Sequence, residues 1–173
     1  MLAELYPFDS TICSSTMQRD ALRNIYAHIS RALLHDNGIK VSYKGRFDVL
    51  PLGINSLDYD QIKQAAARRY LHIHKDRTVI LYFGRFAAHN KMDIEPLLWA
   101  FKELLRKQSN TLLLLAGKDT GQYGREVKRL ASAMGLSGVV KVHCNPSAEE
   151  KLFFYAASDI FVSFSDSLSE SFG

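Results

Sequence analysis

Charged residues follow two of the apolar runs in this sequence, and their types suit the binding of phosphate groups and sugar hydroxyls. The run TVILYFG ends at Gly84 and is followed by Arg85 and Lys91. A planar guanidinium and a lysine ammonium together suit a pair of phosphates, and a glycine lets the backbone approach a ligand closely. Glu170 follows the run DIFVSF, where a carboxylate could hold sugar hydroxyls or balance a developing positive charge. Taken singly, each of these residues also fits an ordinary solvated loop.

A second turn with closely spaced glycines follows the apolar run TLLLLAG. Gly117 ends that run, and Gly121 precedes a segment with a helical pattern, whose first turn would offer free backbone N–H groups. The segment lacks the Gly-Lys-Ser/Thr ending of a P-loop and does not match Gly-x-Gly-x-x-Gly. It therefore fits either a phosphate-binding turn or a plain connection between a strand and a helix.

The composition is that of an ordinary globular protein. Hydrophobic residues make up 47% and charged residues 23% of the 173 residues, and the net charge is +4. This small, scattered excess favours anionic ligands but does not indicate nucleic acid as a partner. Cys13 and Cys144 each lie in an apolar run, so we expect two small buried side chains and neither a disulfide nor a metal site. The segment His72 to His74 is not expected to bind metal, because residues two apart on a helix diverge.

No targeting or membrane-spanning segment is expected from the sequence. The N-terminal stretch MLAELYPFDST has neither the basic region nor the long apolar core of a signal peptide. No apolar run approaches the ~18 residues that a membrane helix needs. These features predict a cytoplasmic protein and leave peripheral contact with a membrane surface open.

Apolar runs alternate with helical patterns along most of the chain. Strands are predicted at 9–13, 78–84, 111–117, 138–144 and 159–164. Residues 46–55 are predicted to begin as a strand that Pro51 and Gly53 interrupt, so that it runs out into a connector. Helices are predicted at 14–38, 58–75, 93–108, 121–135 and 147–158. This alternation predicts an α/β fold, a Rossmann-like, doubly wound parallel sheet with right-handed crossovers. Ligands bind such sheets at the carboxyl ends of the strands, which is where Arg85, Gly117 and Glu170 fall.

In their order and spacing these segments resemble a retaining glycosyltransferase of the two-domain GT-B class, family 4 or "glycosyl transferases group 1". VLPLGIN resembles the family's connector, with Asn55 where the family has Asp. VILYFGRFAAHNK resembles its Gly-Arg…Lys strand end, and TLLLLAGKD its Leu-x-x-x-Gly run. KLFFYAASDIFVSFSDSLSESFG resembles the segment that ends in Glu-x-Phe-Gly. Residues 1–50 would then be a remnant of the N-terminal, acceptor-binding domain, 51–57 the connector, and 58–173 a truncated nucleotide-sugar-binding domain.

The resemblance implies transfer of a sugar from a nucleotide-sugar donor to an acceptor with retention, without a metal ion or a further cofactor. Arg85 and Lys91 would hold the donor's diphosphate and stabilise the leaving phosphate, and Glu170 would contact the donor sugar as the third catalytic residue. The residues implied to bind the donor and its phosphates are Gly84, Arg85, Lys91, Gly117, Ser171, Phe172 and Gly173. The residues implied to lie near the base are Val142, His143 and Cys144.

The sequence departs from a complete family member in two ways. The second acid of the family's paired-glutamate motif would fall after Gly173, and most of the first domain, with its usual catalytic histidine, has no counterpart. We therefore expect a fragment with little activity alone, whose acceptor, nucleotide and sugar stay open. The alternatives are a non-catalytic nucleotide-binding or interaction module completed by another chain, or a truncated relic. An unrelated receiver- or flavodoxin-like domain fits poorly, because YFGRFAAHNK is basic where a receiver is acidic.

The predicted strand at 159–164 bears on the stability and self-association of the isolated chain. In the family it would be a central strand, but here it would be an apolar edge. We expect the isolated chain to be marginally stable or to self-associate through this edge.

Overall fold

The computed structural model describes residues 6–56, 59, 61–87 and 93–163. Its contacts divide the chain into two compact units, one that ends at Ile54 and one that begins at Asn55. None of the described helices is long and apolar enough to cross a membrane.

The first unit consists of two parallel strands and the long helix between them. Strand β1 is Ser10–Cys13, helix α1 is Thr16–Asn37 and strand β2 is Arg46–Val49, with Cys13 opposite Val49. The Ser15 hydroxyl caps α1 by accepting a hydrogen bond from the Gln18 N–H, and Gly38 ends the helix in the left-handed conformation at φ +65°. The predicted helix is thus confirmed, and so is the burial of Cys13.

The second unit contains the predicted parallel sheet. Its strands are β3 (Thr78–Phe83), β4 (Thr111–Gly117), β5 (Val140–Cys144) and β6 (Ile160–Phe161). They are parallel, in the order β5-β4-β3-β6. All seven residues of β4 are buried, as the continuous apolar run predicts for a central parallel strand.

Helices cover both faces of this sheet, which gives two hydrophobic cores. The helices are α2 (Gln64–Tyr70), α3 (Glu95–Leu105), α4 (Tyr123–Ala133) and α5 (Ala148–Ala157). On one face, Leu98 and Val127 from α3 and α4 pack with Leu113 of β4. On the other face, Ala67 of α2 and Phe154 of α5 pack with alternate residues of β3 and β4. The two-sided core confirms the doubly wound arrangement.

The predicted helix at 58–75 is wrong in its extent, since α2 covers only Gln64–Tyr70. The helix ends there because the backbone turns towards β3. His72 takes a left-handed φ of +52°, and the Ile73 N–H donates to the Arg68 carbonyl. His72 and His74 therefore lie in a turn rather than on the helix that the sequence predicts. Groups of three or more potential metal ligands do not occur among the described residues.

Both strands at the ends of the described sheet differ from their predictions. At one end, β6 spans Ile160–Phe161 instead of 159–164, and both of its side chains are about half exposed. Phe164 lies outside the described residues. At the other end, Cys144 in β5 is half-buried instead of buried, because β5 has a neighbouring strand on one side only among the described residues.

Candidate functional site

The loops after β3, β4 and β5 are tied together at the carboxyl edge of the sheet. The Phe86 N–H donates to the Lys118 carbonyl at 2.8 Å, so the loop after β3 follows the loop after β4. The Asn145 N–H donates to the Gly117 carbonyl at 2.7 Å, which joins the loop after β5. The parallel register therefore continues past the strand ends and brings three loops into one surface.

Gly117 is the residue that lets these strand ends come close. Its φ is +151°, and a Cβ built on it would lie 1.6 Å from the Gly84 carbonyl oxygen. No side chain fits at this distance, so the close approach of β4 to the end of β3 requires a glycine. Gly84 and Gly117, both predicted at the site, are thus in contact. This contact alone explains why residue 117 is a glycine, without any role in ligand binding.

Beside this contact lies a cavity of about 380 Å³. Three of its wall residues, Phe83, Pro146 and Ala148, are apolar. The remaining lining residues are Lys118, Asn145, Ser147 and Lys151. The cavity thus opens where the ends of β3, β4 and β5 meet the first turn of α5, the place where parallel α/β sheets bind ligands.

The start of α5 is fixed at the cavity by a reciprocal cap. The Ser147 hydroxyl accepts a hydrogen bond from the Glu150 N–H at 3.1 Å, and the Ser147 N–H donates to the Glu150 carboxylate at 2.8 Å. The sequence predicts this capping box from its Ser-x-x-Glu spacing. It does not predict that the cap lies in the wall of a cavity.

Asn145 joins the loop after β5 to the loop after β4, and sequence reasoning missed it. Its side-chain oxygen accepts from the Asp119 N–H at 2.8 Å, while its side-chain amide donates to the Asp119 carbonyl at 3.1 Å. Its backbone φ is +56°, which asparagine tolerates better than most residues. The only signal in the sequence is an Asn-Pro pair directly after a strand, which predicts a turn but not its partner.

The residues predicted to lie near a base, Val142, His143 and Cys144, are in β5, directly before the loop that lines the cavity. The His143 ring packs 5.0 Å from the Phe154 ring, and burial together with the Lys141 charge lowers the pKa of His143. Burial, together with the Asp119 carboxylate, raises the pKa of the Cys144 thiol. None of the three is among the residues that line the cavity, so their predicted contact with a base stays a prediction.

Arg85 follows β3 on the same edge of the sheet. Its side chain is exposed and makes no hydrogen bond or ion pair with another described residue, while its carbonyl accepts from the Tyr82 hydroxyl at 3.2 Å. The guanidinium is thus available to a ligand. The other predicted residues, Lys91, Glu170, Ser171, Phe172 and Gly173, lie outside the described residues.

A parallel sheet covered by helices on both faces, with a cavity at the carboxyl ends of its strands, defines a Rossmann-like ligand-binding domain. Residues 63–173 match the family described as glycosyl transferases group 1, and the chain belongs to that family. The predicted family is therefore confirmed. No curated protein matches the sequence.

Solved structures of this class share the fold. Sucrose-phosphate synthase from Thermosynechococcus elongatus is similar with a TM-score of 0.61 and 24% identity, over 90% of this chain and 34% of that one. A glycosyltransferase from Rickettsia africae has a TM-score of 0.56 and 16% identity, over 90% and 45%. HepE from Anabaena, solved with UDP and glucose, has a TM-score of 0.55 and 16% identity, over 90% and 46%. These likenesses confirm the Rossmann-like fold class, and the chain spans less than half of each of these proteins.

Proposed function

We propose that this chain forms the donor-binding part of a glycosyltransferase that moves a sugar from a nucleotide-sugar to an acceptor with retention of configuration. Membership of the group 1 family supports glycosyl transfer. The observation that carries donor binding is the cavity at the carboxyl edge of β3, β4 and β5, on the same edge as Arg85. HepE, a structural relative, was solved with UDP and glucose, which supports a nucleotide-sugar as the donor. A cytoplasmic location is part of the same proposal.

In this proposal the cations after β3 act on the donor's diphosphate. As the bond between the sugar and the diphosphate breaks, negative charge grows on the leaving phosphate oxygens. Arg85 and Lys91 hold those oxygens and stabilise the charge, so that no metal ion is needed for this step. Glu170 contacts the donor sugar. Acceptor binding belongs to parts of the longer relatives that this chain does not span.

The direct test is the affinity of the chain for a nucleoside diphosphate with and without Arg85. We expect Arg85→Ala to weaken UDP and GDP binding about tenfold or more, because a charge-assisted hydrogen bond to phosphate is lost. Arg129→Ala is the matched control, since Arg129 is also an exposed arginine but lies in the middle of α4. Affinities come from NMR titration of the ¹⁵N-labelled chain. If Arg85→Ala binds both nucleotides as tightly as the unmodified chain, Arg85 does not hold the diphosphate.

A further inference from the structure

Lys151, in the first turns of α5, has its ammonium group among three aromatic rings. Its Nζ atom lies 5.8 Å from the ring centroids of Tyr59 and Tyr155 and 5.9 Å from that of Phe83. These distances are within the range of cation–π attraction. The rings also pack on one another, with centroids 5.6 Å apart for Tyr59 and Tyr155 and 5.3 Å apart for Phe83 and Tyr155. The rings therefore limit where the ammonium can move.

The Lys151 ammonium has no hydrogen-bond acceptor among the residues that the structure describes. The neighbouring carboxylate of Glu150 is engaged with the Ser147 N–H instead. Lys141 shows the contrasting case, because its Nζ donates to the carbonyls of Leu71 and His72 at 2.9 and 3.0 Å. Lys141 is thus used by the fold, whereas the N–H groups of half-buried Lys151 are left for a ligand.

Lys151 and Phe83 both line the cavity, and the Lys151 ammonium lies over the Phe83 ring, so the lysine side chain is part of the cavity wall. Several wall residues are apolar, which suits the faces of a flat ring better than a phosphate group. A lysine ammonium can only donate hydrogen bonds. A ring that presents a carbonyl oxygen to Lys151 would accept a hydrogen bond from the ammonium. A ring that presents an amino group in the same place would bring two hydrogen-bond donors together, so it would bind more weakly.

We propose that Lys151 is a specificity-determining residue of this cavity, and that it selects a nucleobase with an exocyclic oxygen over one with an amino group at the same position. The proposal rests on the proposed function, in which the ligand is a nucleotide. It favours uracil over cytosine and hypoxanthine or guanine over adenine, independently of ring size. The aromatic rings restrict the lysine before the ligand arrives, which reduces the entropy that binding must overcome.

The test compares nucleoside diphosphates that differ at the position in question. UDP and CDP form one pair, and IDP and ADP form the other, each titrated into the ¹⁵N-labelled full chain. We expect the unmodified chain to bind UDP and IDP about tenfold more tightly than CDP and ADP, the effect of one charge-assisted hydrogen bond. Lys151→Met should remove this preference, and Lys151→Arg, which keeps a cation over the rings, should retain it.

Lys102→Met is the matched control. Lys102 is also a half-buried lysine over an aromatic ring, with its Nζ 5.7 Å from the Trp99 ring, but it lies on α3 and does not line the cavity. We expect this variant to keep both preferences. A melting temperature measured for each variant checks that the fold is intact, and if Lys151→Met unfolds, Lys151→Gln takes its place in the comparison.

The outcomes separate this inference from the proposed function. If Arg85→Ala weakens all four nucleotides while Lys151→Met leaves the preference unchanged, the role of Lys151 is refuted and nucleotide binding stands. The same holds if the unmodified chain does not discriminate within the pairs, or if Lys151→Met weakens all four nucleotides equally, as loss of packing would. If none of the four binds the unmodified chain, donor binding is refuted together with the role of Lys151.

Discussion

Substitution of Asn145 tests how the loops at the cavity are held together, because its side-chain hydrogen bonds and its backbone conformation contribute separately to stability. The side chain makes two hydrogen bonds to the backbone of Asp119, at 2.8 and 3.1 Å, and the backbone is left-handed at φ +56°. Replacement by alanine removes both hydrogen bonds and leaves a residue that disfavours this φ. Replacement by glycine removes the same hydrogen bonds but accepts the backbone conformation.

The expected losses of unfolding free energy follow from these contacts. Both hydrogen bonds are solvent-exposed, and each contributes about 1 kcal/mol net. The left-handed backbone costs alanine about 1 kcal/mol more than it costs asparagine. Asn145→Ala should therefore lose about 3 kcal/mol and Asn145→Gly about 2 kcal/mol. The difference between the two variants measures the backbone contribution.

Urea unfolding with the m-value monitored is the assay, because a constant m-value shows that stability alone has changed. Gln122→Ala is the control. Gln122 has a similar φ of +64° but makes no side-chain capping bond, so its loss should be below about 0.5 kcal/mol. UDP affinity should fall in both Asn145 variants, since the loops that carry Lys118 and Ser147 are no longer joined by this side chain. If Asn145→Ala is as stable as the unmodified chain, or Asn145→Gly loses as much as Asn145→Ala, this reasoning is wrong.

Two further predictions concern the strand ends. Gly117→Ala should lose about 3 kcal/mol or more of unfolding free energy, because the new Cβ would lie 1.6 Å from the Gly84 carbonyl oxygen. Gly121→Ala is the control, because its Cβ would meet no atom within 4 Å, and its unfolding free energy in urea should change by less than about 0.5 kcal/mol. The second prediction is that the Asp159 carboxylate stabilises the fold and that acid removes this stabilisation. Burial alone would raise the pKa of Asp159. Hydrogen bonds from the Val79 N–H and Gln64, together with the charge of Arg68, outweigh burial and lower the pKa of this carboxyl. The unfolded chain then takes up the proton first, so the stabilisation is present above about pH 4 and is lost as the pH falls through the lower folded pKa. The difference in unfolding free energy between the unmodified chain and Asp159→Asn should therefore be largest near about pH 7 and become smaller below about pH 4. A difference that does not change with pH would contradict the lowered pKa of Asp159.

Those parts of the fold that depend on local patterns could be predicted from the sequence. β4 is a continuous apolar run and is buried throughout, so its type and extent follow from composition alone. The Ser147–Glu150 capping box is also a local signal and occurs as predicted. The glycine that ends α1 in the left-handed conformation is a local signal of the same kind. The alternation of strands and helices then leads to the parallel sheet, because crossovers of this length admit few other arrangements.

Features that depend on distant partners could not be predicted. The pattern around Arg68 reads as a polar helix, yet its side chain is 8% exposed. The guanidinium donates to the Ala157 and Lys75 carbonyls at 3.1 and 2.6 Å and to the Asp159 carboxylate at 2.7 Å. Two of these partners are about ninety residues away in the sequence, so no local pattern indicates that this arginine is buried.

The candidate site was predicted in part for the same reason. The rule that ligands bind at the carboxyl ends of parallel strands led to Gly84, Arg85 and Gly117. The sequence does not indicate a role for Lys118, Asn145 or Lys151, because their place in one cavity depends on the pairing of loops that no local pattern reveals. For Ser147 the sequence predicts only the local role, that of a helix cap.

The structure also separates residues that the fold requires from residues that are free to act on a ligand. Gly117 matches the family pattern, yet the Gly84 carbonyl alone explains why no side chain fits there. Asp159 lies in the segment that resembles the family, and it is explained by the hydrogen bonds that its carboxylate accepts from Val79 and Arg68. Variants of these residues should change stability first, and a loss of nucleotide binding in them would not identify a contact. Arg85 and Lys151 have no acceptor among the described residues. In a stable variant, a loss of affinity in Arg85→Ala, or a loss of the preference between bases in Lys151→Met, therefore identifies a group that contacts the nucleotide.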